Sequence, residues 1–335
     1  MTNTNKNSNE SDDILIKFEN VSKVFPNGFK AVDNLDLEIK RGETLVLLGT
    51  SGSGKTTTMK MVNRLLEPTS GKIYVNGEDI SSYNAIELRR KIGYAIQHIG
   101  LFPHMTIAEN IAVVPKLLKW DSDKIDARIN ELLELVNLDP VEYRDRYPTQ
   151  LSGGQKQRIG VIRALAADPT VILMDEPFGA LDPITREQLQ NEFLELESEI
   201  QKTILFVTHD ITEAVKMGDR IMLLDEGKVQ QLATPLELID NPANEFVENF
   251  LGQHRFQLSL YTKNLKSIGI ELDAAESQEE RPPNYLTPRS SLIEALDYFK
   301  INKCKRTPVF SAKKLIGHLD RKTLLAAITD VLNTI

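Results

Sequence analysis

The segment from Thr44 to Leu66 leaves this chain few ways to fold. An unbroken apolar run, TLVLLG, is followed by GTSGSGKTT (Gly49–Thr57) and then by KTTTMKMVNRLL. The first run reads as a strand covered on both faces and the last as a helix. Between them the glycines let the backbone turn without a Cβ in the way. The pattern Gly49-x-x-x-x-Gly54-Lys55-Thr56 is that of a phosphate-binding loop. Backbone N–H groups of Gly49, Thr50, Ser51, Gly52, Ser53 and Gly54 converge on phosphate oxygens at the start of the helix, which Lys55, Thr56 and Thr57 open. Lys55 adds a point charge, and the Thr56 hydroxyl reaches a divalent cation. A strand–loop–helix of this kind sits in a parallel sheet, so the chain reads as α/β.

The remaining sequence fits that class. ILIKFENV, KIYVNG, KIGYAIQ, TVILMDE, TILFVTH and RIMLLDEGKV are further strand candidates, and TVILMD is again continuously apolar. The Asn-Gly pair in KIYVNGEDI marks a hairpin, which points to an antiparallel layer beside a parallel core. Between Ala108 and Arg146 the period turns helical: Ile125, Ile129, Leu132, Leu133 and Val136 recur on one face. The expected organisation is a disordered tail over 1–13, an α/β domain over 14–250 with a helical subdomain at about 98–160, a linker over 251–284, and a small helix–strand–strand–helix block over 285–335. At 335 residues, roughly two domains are expected.

Three more stretches carry chemistry. TVILMDEP delivers Asp175 and Glu176 to a strand end, where ligands of parallel sheets sit. Alone, such a pair is more often a cap or a solvated turn; beside a phosphate loop, Asp175 suits a Mg²⁺ ion and Glu176 suits activation of water. His209 ends TILFVTH and Gln97 ends GYAIQ, and neither would stand out on its own. LSGGQ (Leu151–Gln155) is a second Ser-Gly-Gly turn opening a helix, hence a second anion cradle. Net charge is −8, so no global basic field holds a nucleic acid and phosphate binding is local. Cys304 is the sole cysteine, which excludes an internal disulfide. The polar N-terminal stretch lacks the apolar core of a signal peptide, and no run is apolar enough to span a membrane.

The phosphate loop, LSGGQ, the strand-borne Asp175-Glu176, Leu181-Asp182 and Thr208-His209 stand in the order of an ATP-binding cassette (ABC) ATPase, and residues 14–250 resemble that family. The resemblance implies a P-loop cassette with a mixed core sheet, an antiparallel β-layer and a helical subdomain. It also implies a head-to-tail homodimer holding each ATP between the phosphate loop of one subunit and the LSGGQ turn of the other. Carried over, Leu151, Ser152, Gly153, Gly154 and Gln155 contact the partner's γ-phosphate. Gln97 lies near Mg²⁺ together with Thr56 and Asp175, Asp182 lies at the dimer seam, and Glu176 and His209 are catalytic. Phe25, in VSKVFPNG, stands where the family stacks an aromatic on adenine; otherwise it is an ordinary buried aromatic.

QHIGLFPHMTIAENIAVVPKLLKW resembles the importer subfamily serving quaternary-ammonium osmoprotectants such as glycine betaine, carnitine and choline. Another small cation or an amino acid as cargo, and a soluble nucleotide switch without a permease, are the other readings. In the importer reading LFPHMT receives an integral membrane permease, itself fed by a substrate-binding protein. The chain would then sit at the cytoplasmic face of the membrane. The alternative is a loop packed on its own domain. His98 and His104 read as surface or packing residues. The C-terminal block, SSLIEALDYFKINKCKRTPVF with KKLIGHLDRKTLLAAI, resembles a single CBS motif, either a regulatory interface or a remnant. Asp320 and Thr323 occupy the places where nucleotide-binding copies carry Ser or Thr and Asp, which speaks against an adenosine ligand there.

Overall fold

The computed structural model describes residues 13–334 apart from 97–99, 180, 270–271, 273–284 and 312–313. Strands β1 (Ile14–Val24), β2 (Lys30–Lys40) and β3 (Thr44–Gly49) lead into helix α1 (Lys55–Val62), and β4 (Ser70–Val75), β5 (Glu78–Asp79), α2 (Ala85–Lys91) and β6 (Ile92–Ala95) follow. Helices α3 (Ile107–Leu117), α4 (Ser122–Leu135), α5 (Pro140–Tyr143) and α6 (Gly153–Leu165) precede β7 (Val171–Asp175), α7 (Pro183–Ile200), β8 (Thr203–Val207), α8 (Ile211–Met217), β9 (Arg220–Asp225) and β10 (Lys228–Ala233). The last elements are α9 (Pro235–Asp240), α10 (Glu245–Leu251), α11 (Arg255–Thr262), α12 (Leu292–Asn302), β11 (Arg306–Ser311), β12 (Lys314–Asp320) and α13 (Arg321–Thr334).

The chain divides into two compact units. One takes residues up to Asp210 and Met217–Leu232; the other takes Ile211–Lys216 and Ala233 onward. In the first, a six-stranded sheet runs β10-β9-β3-β8-β7-β6, and β3, β6, β7, β8 and β9 pair parallel. Every residue of β3, β7 and β8 is buried, as continuous apolar strands require. A second sheet, β2-β1-β4-β5, is antiparallel throughout. Its inner face, including Leu15, Phe18 and Ile73, shares one core with Leu45, Leu47, Met59 and Leu205 beneath the parallel sheet. The Asn76-Gly77 hairpin forms with both residues at positive φ, and Val75 pairs with Glu78. RIMLLDEGKV is two strands rather than one: Glu226 and Gly227, at φ 45° and 77°, turn the chain from β9 into β10.

At the N-terminal end of the sheet, the Thr44 hydroxyl donates to Glu197 and the Thr44 N–H donates to Asp219. Burial raises the Glu197 pKa, the Thr44 bond opposes this, and Asp219 adds to the rise. A carboxyl raised in the folded state stabilises the fold at low pH and loses that contribution as pH climbs through the native pKa. Glu197→Gln is therefore expected to raise the melting temperature at pH 8 by about 1–3 °C. The gain should shrink toward pH 4 in scanning calorimetry.

In the second unit, the antiparallel pair β11–β12 packs with α12 and α13 around Leu292, Phe299, Val309, Leu319 and Leu324. Part of the stretch expected as linker belongs to this core. Helix α11 contributes Leu260, and Leu265 follows it. Backbone bonds from Leu265 to Ser290 and from Leu292 to Lys263 join the segment to the start of α12. A block of 285–335 alone is short of apolar surface, and recruiting α11 supplies it. The carboxylate of Asp320 accepts the Lys322 N–H at 2.7 Å, so it caps α13.

Candidate nucleotide site

The phosphate loop leaves the C-terminal end of β3, between β8 and β9 in the parallel sheet. Two of its glycines are required by space as well as by φ. A Cβ on Gly49 (φ 150°) would lie 2.1 Å from the Leu224 carbonyl oxygen, and one on Gly54 (φ 104°) would lie 2.2 Å from that of Ala31. Between these fixed points the Lys55 ammonium, buried beneath the loop, donates to the carbonyls of Gly49 at 2.9 Å and Thr50 at 2.7 Å. Burial lowers the Lys55 pKa, and the carboxylates of Glu176 and Asp175 push it back up. The loop thus holds a cation in a desolvated place where a phosphate would be its natural counter-ion.

Thr56, the second residue of α1, donates its hydroxyl to Asp175 Oδ1 at 2.9 Å, joining the helix after β3 to the end of β7, which lies one strand further along the sheet beyond β8. Asp175 is 7% exposed, and burial raises its pKa while the Thr56 bond works against the rise. Two hard oxygen donors thus meet beside the loop. Glu176, next in sequence, adopts φ 45°, and its N–H donates to the Val207 carbonyl at 3.0 Å. This left-handed turn, costly for a residue with a Cβ, carries the carboxylate away from the sheet toward His209, whose Nδ1 lies 3.4 Å from Glu176 Oε1. His209 is 62% exposed at its side chain, ready to meet a bound group.

Phe29, Ala31, Ser51, Gly52, Gly54, Lys55, Thr56, Thr57, Glu176 and His209 line one open cleft of about 510 Å³. Ser53 turns inward and is buried. The aromatic on this cleft is Phe29, 51% exposed, whereas Phe25 does not line it. The two rings are near parallel, 13° apart in plane and 6.5 Å between centroids, with Lys23 over the Phe25 face. Sequence reasoning missed Phe29, although FPNGF places both aromatics on one turn: the Phe25 N–H donates to the Phe29 carbonyl and the Gly28 N–H to the Phe25 carbonyl.

LSGGQ does not line this cleft. Ser152 caps α6: its hydroxyl accepts the Gln155 N–H at 3.2 Å, and Gln155 Oε1 accepts the Ser152 N–H at 2.9 Å. Gln155 also donates to the Tyr143 hydroxyl at 3.0 Å, and buried Leu151 anchors the turn from behind. Ser152 and Gly153 are exposed and Gly154 is half-buried, so the helix start presents its N–H groups outward. Asp182 caps α7 in the same way, accepting the Thr185 N–H at 3.1 Å, and the Thr185 bonds hold its pKa low. Gln97 lies outside the described residues, as does His98.

The LFPHMT loop has a buried fastener that sequence reasoning also missed. Asn110, fully buried on α3, accepts the Phe102 N–H and donates to the carbonyls of Phe102, Met105 and Thr106. The loop therefore keeps a fixed shape while Phe102, 41% exposed, and His104 point to solvent. The Asn110→Ala variant should lose about 1–3 kcal/mol of stability by urea unfolding, with faster protease cleavage at this loop.

The family model for ABC transporters matches residues 32–179. A glycine betaine/carnitine/choline transport ATP-binding protein of Bacillus subtilis is 50% identical over 307 residues, covering 91% of this chain and 78% of that protein. The chain belongs to the ABC transporter ATP-binding family. A glycine betaine uptake system ATP-binding protein of Escherichia coli is 48% identical over 88% of this chain and 94% of its own length. Among solved structures, a dimeric ATP-binding cassette captured after hydrolysis with ADP and Pi superposes with a TM-score of 0.58 at 35% identity, over 66% of this chain and 98% of that one. The sheets and phosphate loop of this ABC ATPase are thus those of its family. Among the described residues no helix is long and apolar enough to cross a membrane.

Proposed function

We propose that this ABC ATPase works as a head-to-tail homodimer that drives import of a quaternary-ammonium osmoprotectant of the glycine betaine, carnitine or choline type. The observation that carries the cargo is the 50% identity to the Bacillus subtilis protein, which runs through 307 residues and so well past the cassette. The dimer is supported by the split between the two cradles: the phosphate loop opens into the cleft while the LSGGQ turn faces outward. An integral membrane permease is the partner for the fixed LFPHMT loop, and a substrate-binding protein acts through it. The second unit, CBS-like in sequence, serves as a regulatory interface.

In this reading the phosphate-loop N–H groups and Lys55 bind the β- and γ-phosphates, and Phe29, with Phe25 stacked against it, holds the adenine by stacking. Mg²⁺ fits the donor set. Thr56 and Asp175 offer hard oxygens, and among the described residues no group of three or more His, Cys, Asp or Glu side chains converges, which leaves further positions to water and nucleotide. When bound, the ion neutralises phosphate charge; Gln97 is assigned beside it. Glu176 accepts a proton from the water that attacks the γ-phosphorus as the bond to the β-phosphate oxygen breaks, giving ADP and phosphate. His209 steadies the γ-phosphate oxygens. Ser152, Gly153, Gly154 and Gln155 contact the partner's γ-phosphate, and Asp182 lies at the seam. Closure around two ATP and reopening after hydrolysis drive the permease.

Uptake of radiolabelled betaine, carnitine and choline in a strain deleted for this chain tests the cargo. The wild-type chain should restore uptake of at least one of them and Glu176→Gln should restore none. Restoration of amino-acid uptake alone would move the cargo to the other reading.

A further inference from the structure

We propose that a pocket walled by α4, α6 and α7, away from the nucleotide cleft, binds a small organic cation with an alkyl body and one hydrogen-bond donor. The pocket encloses about 250 Å³. Its floor is apolar: Val161, Phe178, Leu189 and Phe193 line it, and each is at least nine-tenths buried. Its rim is acidic. Glu134, Glu195 and Glu199 stand at the mouth, exposed, and their carboxylates pair with no described residue. The only cation lining the pocket among the described residues, Arg158, pairs with Glu192 and donates to the Val136 carbonyl, while its buried Nε has no partner; Glu192 offsets its charge and leaves the three rim glutamates in excess. The cavity therefore keeps a negative field that repels nucleotides and other anions and draws cations.

The second observation is Gln157. It is 4% exposed, lines the pocket from α6, and its amide makes no hydrogen bond to any described residue. The amide is not among the buried polar atoms sealed off without a partner, so solvent reaches it and a ligand would displace water from it. Here the open side of the amide is the pocket. An N–H or O–H donor on the ligand would satisfy Gln157 Oε1, the alkyl part would cover the phenylalanine floor, and the positive charge would lie toward the three glutamates. A bare metal ion suits neither the apolar floor nor the lone amide.

The pocket touches α6 below the turn that Ser152 opens and α7 below the cap that Asp182 makes. An occupant would bridge the two helices whose starts form the outward-facing half of the ATP site. The proposal concerns a site on the ATPase itself and stands whatever the permease carries.

Isothermal titration of the full-length chain in low salt with choline chloride tests it, with tetramethylammonium chloride as the cation lacking a donor. The expected result is saturable binding of one choline per chain, weakened by added salt. Exchanging two exposed rim charges in Glu195→Gln/Glu199→Gln should weaken it about threefold to tenfold without disturbing the fold. Gln157→Leu should bring choline down to the affinity of tetramethylammonium. Absence of saturable binding below about 10 mM, or binding that both variants leave unchanged, overturns the proposal, and ordered water is then the partner of Gln157.

Discussion

Glu176→Gln is expected to lower ATP turnover by about 10²–10⁴ while leaving ATP binding intact. The expectation rests on how the carboxylate is held. Its backbone is pinned by the Val207 carbonyl at a positive φ, and the side chain stands beside His209 at the edge of the cleft, outside the bonds that hold Lys55 and Thr56. A glutamine keeps the shape and hydrogen-bonding reach but cannot take a proton at neutral pH. Single-turnover release of phosphate should therefore slow, with nucleotide affinity little changed. Near-normal hydrolysis in this variant would remove Glu176 from its assigned role.

Ser152→Arg is expected to abolish hydrolysis by a different route. Ser152 caps α6 at an exposed turn and contributes nothing to the cleft of its own chain. An arginine there loses the cap, at a cost of about 1 kcal/mol, and places a long side chain where a partner's phosphate would meet the helix start. ATP affinity of the lone subunit should stay within about twofold of wild type, whereas ATP-driven association and turnover should both be lost. The capping bond to Gln155 makes a control available: Ser152→Thr keeps the hydroxyl and should retain the α6 start.

The site was legible in the sequence wherever spacing alone dictates geometry. The run from TLVLLG through GKTT fixes a strand, a turn that only glycine fits at Gly49 and Gly54, and a helix, and all three are found. The Ser152–Gln155 capping box is equally local and follows from residue type at a three-residue offset. What escaped was set by tertiary packing. Nothing in FPNGF ranks Phe29 over Phe25, because the direction of each ring depends on how the β1–β2 turn folds back over the phosphate loop. Asn110 reads as one more polar residue on a helix until its four bonds to the 102–106 loop are seen. The extent of the C-terminal unit was misjudged for the same reason. FQLSLYT lacks an obvious partner in sequence, and α11 finds its place only against the strand pair and helices that come after residue 284.

The central claim is that the two anion cradles of this chain face one phosphate from two subunits. Its most direct test is light scattering after size exclusion, with and without ATP, on Glu176→Gln and on Glu176→Gln/Ser152→Arg, with bound nucleotide counted in each. The predicted result is an ATP-dependent dimer for the first variant, and for the second a monomer that still holds ATP. A double variant that dimerises normally, or one that fails to bind ATP as a monomer, would contradict the account, since LSGGQ would then act within its own chain or not at the phosphate at all.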